Sequence, residues 1–158
     1  MEIQKKLTGL ELLEKYPLAA KVVKDWFMKS MLESFKDESV PEEFKQFMLE
    51  QGIEDDKVGK LIDVNVRILF DVFDENHILI EIFRPLNEGS IYPSNYFSYK
   101  IGNMSPDIKK TRKEAELFAV EAAFEILENL LTPSLVEEIE VIDDETLTPK
   151  EETDEKDN

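Results

Sequence analysis

The chain has 158 residues, 42% of them hydrophobic, and a formal net charge of −17. That length suits one core and is short for two, the apolar share excludes wholesale disorder, and no run reaches the roughly 18 to 20 apolar residues of a membrane-spanning helix. With no cysteine and one histidine, His77, disulfides, thiolate nucleophiles, Ser-His-Asp arrangements with a choice of base and His/Cys zinc sites are excluded.

The first thirty residues lack the successive charged, apolar and small-residue regions of a signal peptide, so the expected compartment is the cytoplasm. In "LTGLELLEKYP" Thr8 is placed to cap a short helix that carries Leu10, Leu12 and Leu13 and stops before Pro17. Pro17 then opens a long helix at a tolerated first-turn position. Leu18, Val22, Val23, Trp26, Phe27, Met31, Leu32 and Phe35 recur there at spacings of three and four and predict one broad buried face. "SVPEEFKQFMLEQG" predicts a third helix, with Ser39 and Glu42 as a capping box, Gly52 at the C-cap, and Phe44, Phe47 and Met48 as its buried stripe. "IEDDKVGKLI" is ambiguous and fits one more short helix ending near Leu61.

From Val64 the period changes. Val64, Val66, Ile68, Phe70 and Val72 alternate with Asn65, Arg67, Leu69, Asp71 and Phe73, which predicts a strand. A helical reading of "LIDVNVRILFDVF" also has three-and-four spacing, and the β-branched residues favour the strand. "DENH" reads as a turn, with His77 at the surface or at a strand start, and "ILIEIF" places Ile78, Ile80 and Ile82 on one side. Residues 64–84 are thus expected to form a β-hairpin. "RPLNEGSIYPSN" is a loop, and "YFSYKIG" is the third strand, with Phe97, Tyr99 and Ile101 on one face. In "IKKTRKEAELFAVEAAFEIL" Thr111 and Glu114 form a capping box. Ala115, Ala119, Ala122, Ala123, Ile126, Leu127 and Leu130 share a face of a helix that spans roughly 28 Å and ends at Pro133. "SLVEEIEVI" adds a turn or a short strand.

The expected fold class is α+β in two layers: N-terminal helices, a three-stranded antiparallel meander, and a long C-terminal helix packed on the sheet. Residues 1–142 would form a single domain, with a helical part at 1–60 and a βββα core at 61–131. Residues 143–158 would form a disordered acidic tail, because the stretch from Glu137 onward carries eleven acidic residues against Lys150 and Lys156 and no aromatic side chain. Edge strands of such a sheet would permit a homo-oligomer.

Catalytic signals are absent from the pattern. The five glycines make no phosphate-cradling loop, and the carboxylate groups at 54–56, 71–75 and 143–144 lack the spacing of a calcium loop. No catalytic residue, cofactor or metal is expected. Tyr92 and Tyr96 could offer a stacking platform for bases, and packing with loop anchoring accounts for them more simply. What needs explaining is the group Lys109, Lys110, Arg112 and Lys113 at a helix start, where each cation costs on the order of 0.3 to 1 kcal/mol. Such a group is a candidate anion-binding or partner-binding site, or a counterweight to the chain's own acids.

The order helix, three strands, helix, with "KKTRKEAELFAVEAAFEIL" opening the last helix, resembles the double-stranded RNA-binding domain over residues 64–131. The resemblance implies that Lys109, Lys110 and Lys113 match the lysine cluster that contacts duplex phosphates in that family. "TRKEAELFAVEAAFEILENL" is also similar to small proteins of bacteria and their bacteriophages, which implies no chemistry. The expected function is a small acidic, non-enzymatic module that binds another protein, as an accessory, virion component or inhibitor. The alternative is duplex nucleic-acid binding through the basic cluster, which the net charge disfavours. No membrane association is expected.

Overall fold

The computed structural model describes residues 6–36, 39–104 and 108–133. The expectations for "SLVEEIEVI" and for the acidic tail at 143–158 lie outside the described residues. Helix α1 (Gly9–Lys15) starts as its sequence dictates: the Thr8 hydroxyl accepts from the Glu11 N–H while the Glu11 carboxylate accepts from the Thr8 N–H. Helix α2 (Pro17–Ser34) follows with Pro17 in its first turn. Its buried residues Ala19, Ala20, Val23, Phe27 and Met28 lie on one face. Both helix starts are also capped from far away in sequence. The Gly9 N–H donates to Asp63 Oδ1 at 2.8 Å, and the Ala19 N–H donates to Glu128 Oε2 at 2.8 Å.

Helix α3 (Glu42–Gln51) ends as expected at Gly52, whose φ of 68° suits a residue without Cβ. Two other expectations for it fail. Its N-cap is Pro41 with no side-chain hydrogen bond, so the Ser39–Glu42 capping box does not form. Phe44, Phe47 and Met48 are not a buried stripe: α3 has no buried residue, and Phe47 is 54% exposed. Helix α4 (Asp55–Val64) crosses α1 and buries Val58, Gly59 and Ile62.

The largest correction concerns residues 64–73, expected as a strand. Val64 closes α4, Val66 sits in the connecting turn, and residues 68–75 form helix α5 (Ile68–Glu75). A strand would put Val64 on the same face as Val66 and Val72, yet Val64 is 84% exposed while Ile62, Val66, Leu69, Val72 and Phe73 are buried. Those buried positions follow the helical period, and the β-branched Val64 and Val66 fall at a helix end and in a turn, where they cost little. "DENH" is the C-terminal cap of α5. The His77 N–H donates to the Asp74 carbonyl at 2.9 Å and the Ile78 N–H to the Phe73 carbonyl at 2.8 Å, with His77 in the left-handed region at φ 63°.

Strand β1 (Ile80–Phe83) pairs antiparallel with β2 (Ser98–Ile101), Ile80 opposite Ile101 and Phe83 opposite Ser98. The three-stranded meander is replaced, among the described residues, by this two-stranded sheet. The class is nevertheless α+β. Helix α6 (Arg112–Leu131) begins with the expected Thr111–Glu114 capping box and stops two residues before Pro133. It packs on both strands and also against α2 and α5, so residues from α1, α2, α4, α5, β2 and α6 meet in a single apolar cluster. Within it Tyr16 stacks on Phe124 and Phe73 meets the same ring edge to face, with ring centroids 6.0 and 5.4 Å away. No described helix is long and apolar enough to cross a membrane.

Candidate anion-binding and partner-binding surfaces

The four cations Lys109, Lys110, Arg112 and Lys113 come together at the start of α6, and they differ in what holds them. Lys109 is fixed through its backbone: Phe97 and Lys109 exchange both N–H to carbonyl hydrogen bonds, at 2.9 and 2.7 Å. Its ammonium lies 3.8 Å from the centroid of the Phe118 ring. Arg112, the first residue of α6, donates its Nε to Glu116 Oε1 at 2.9 Å, one turn along the helix. Lys110 and Lys113 are exposed and make no ion pair among the described residues.

Glu116 is the pivot of this end of the molecule. It is only 4% exposed, so its carboxylate must be paired where it stands. Its Oε1 accepts from Arg112 and, at 2.7 Å, from the Nε of Arg67, which caps the start of α5. One buried oxygen thus holds two guanidiniums side by side. Arg84 is the third arginine nearby. Its guanidinium carbon is 4.8 Å from the centroid of Phe97, the residue that pairs with Lys109. Arg84 and Arg112 line one cleft of about 340 Å³ with Ile82, Phe83 and Phe97.

Arg67 and Arg84 were not legible as members of this group. A strand over 64–73 puts Arg67 on a mixed face with Asn65, Leu69, Asp71 and Phe73, and a loop starting at Arg84 assigns that residue no neighbours. The one available signal was Glu116 itself, a carboxylate among alanines that a buried helix face could not accept alone.

The remaining candidates are dispersed. Asp55 pairs with Lys24 at 2.7 Å, Asp56 with Lys60 at 2.7 Å and Glu54 with Lys57 at 3.2 Å, as separate ion pairs. Among the described residues no three His, Asp or Glu side chains gather as a cation cage. Tyr99 is buried as expected. Tyr92 and Tyr96 have exposed side chains, and their backbones take part in the loop between β1 and β2: the Asn87 N–H donates to the Tyr92 carbonyl and the Tyr96 N–H to the Ser94 hydroxyl.

A second surface is apolar. Phe44, Phe47 and Leu49 of α3 are all exposed, and Phe44 makes one edge contact with Phe35 at 6.3 Å. Between α3 and α2 lies a groove of about 510 Å³ lined by Met28, Leu32 and Leu49 and by Asp25, Lys29, Glu33 and Lys36. Comparison of the chain with protein-family models, with curated proteins and with solved structures finds no match, so both surfaces stand on their own chemistry.

Proposed function

We propose that this chain is a small, non-enzymatic protein-binding module that receives a partner on the apolar side of α3 and the adjoining groove on α2. The observation that carries this reading is α3 itself, a helix of ten residues with two exposed phenylalanines and an exposed leucine and no residue in the core. Phe44 and Phe47 are one turn apart on one side of α3 and Leu49 faces the groove on α2, and large apolar side chains exposed in this number on a water-facing helix support an interaction site, since their burial contributes roughly 25 cal/mol per Å². Four charged side chains, Asp25, Lys29, Glu33 and Lys36, line the groove together with its apolar residues, the mixture of polar and apolar groups that interfaces carry. The strong negative charge keeps such a molecule soluble despite the patch.

The test compares the full chain with a Phe44→Asp/Phe47→Asp variant in affinity capture from its native cell, followed by direct binding of any captured protein. A partner that binds the first and is lost from the second, with unchanged circular dichroism, supports the reading. Identical capture by both chains would overturn it. Self-association of the wild type that the variant abolishes would instead make the surface a homodimer interface.

A further inference from the structure

We infer that the cleft between Arg84 and Arg112 binds a small organic phosphate monoester, its dianion held by the guanidiniums and its organic group resting on Ile82, Phe83 and Phe97. This site is independent of the apolar surface on α3. The inference begins with Glu116. Because both Arg67 and Arg112 reach its Oε1 through Nε, the terminal Nη groups of both are left without a hydrogen-bond partner among the described residues. A guanidinium held by its Nε keeps a fork of donors for an oxyanion and has already given up part of its side-chain freedom. Arg84 is similarly held, by the Phe97 ring rather than by a carboxylate.

Charge decides the class of ligand. Arg84 and Arg112 line the cleft with no carboxylate among its lining residues, Arg67 joins Arg112 on Glu116, and Lys109, Lys110 and Lys113 adjoin Arg112 in the sequence. Elsewhere the chain is strongly acidic, so this local field attracts a dianion that the rest of the surface repels. Size and lining decide the rest. A cleft of about 340 Å³ is roomier than a bare phosphate needs, and three of its five lining residues are apolar or aromatic.

The experiment titrates the full-length protein with phenyl phosphate, with inorganic phosphate and with duplex RNA at constant ionic strength, followed by calorimetry and by amide chemical shifts. Phenyl phosphate is expected to saturate with a Kd of about 1 mM or tighter and to bind about tenfold better than inorganic phosphate. Arg84→Gln, which removes no side-chain hydrogen bond among the described residues, should weaken it about tenfold, whereas Lys57→Gln, a cation paired to Glu54 at the start of α4, should leave it unchanged. Equal binding of the two phosphates, equal loss in the Lys57 and Arg84 variants, or no saturation at these concentrations would overturn the inference. Duplex RNA binding more tightly than phenyl phosphate would also overturn it, assigning the patch to a polyanion backbone.

Discussion

Gly9 and Gly59 meet backbone to backbone where α1 crosses α4: a Cβ added to Gly9 would collide with the carbonyl group of Gly59, and one added to Gly59 would lie 2.8 Å from the Leu10 nitrogen. The two helices approach so closely only because neither carries a side chain at that point. Gly9→Ala and Gly59→Ala each gain helix propensity of up to about 1 kcal/mol, and the clash outweighs it. Each is expected to destabilise the protein by about 2 to 3 kcal/mol net, measured as a lowered midpoint of urea unfolding at unchanged slope.

Two carboxylates cap helices to which they do not belong. Removing the acceptor in Asp63→Ala or in Glu128→Ala leaves the Gly9 or Ala19 N–H without its partner, at an expected cost of about 1 kcal/mol each. The two caps share no residue, so the double variant should lose the sum within about 0.5 kcal/mol. A double-mutant cycle in urea checks both statements, and a marked departure from additivity would show the two helix starts to be coupled.

Glu116 makes the opposite prediction. Either arginine alone still neutralises the buried carboxylate, so Arg67→Ala and Arg112→Ala should each cost no more than about 1 kcal/mol, their guanidiniums being half exposed. Removing both strands a charge with 4% exposure, and the double variant should lose about 2 to 4 kcal/mol, more than its parts together. Additive losses would show that water reaches Glu116.

His77 holds a left-handed backbone that costs a non-glycine residue about 1 kcal/mol, and its side chain is exposed. His77→Gly should therefore stabilise the protein by roughly 0.5 to 1 kcal/mol, read as a rise in Tm. A fall in Tm would mean that the imidazole contributes something beyond the cap.

Legibility followed the range of the interaction that decides each element. Thr8, Pro17, Thr111 and Pro133 act within one helical turn, and the helices they bound lie where the sequence places them. The "ILIEIF" and "YFSYKIG" strands were equally readable from alternation, since Ile80 to Phe83 and Ser98 to Ile101 do pair. Residues 64–73 were not, because alternation and helical spacing coexist there and only the position of the core separates them. The candidate cluster was half readable: Lys109, Lys110, Arg112 and Lys113 are neighbours in the chain, while Arg67 reaches Glu116 across 49 residues.

The amino-acid sequence by itself determined the acidic character, the α+β class, the long helices at either end and the grouping of cations ahead of the last one. Tertiary packing alone decided that α5 coils, that α3 leaves its phenylalanines in water, and that a single buried carboxylate gathers two arginines. The physical reason is one of distance. Caps, prolines and periodic side chains act on the backbone beside them, whereas burial and charge pairing depend on residues 49 to 109 positions apart being brought into contact by the fold.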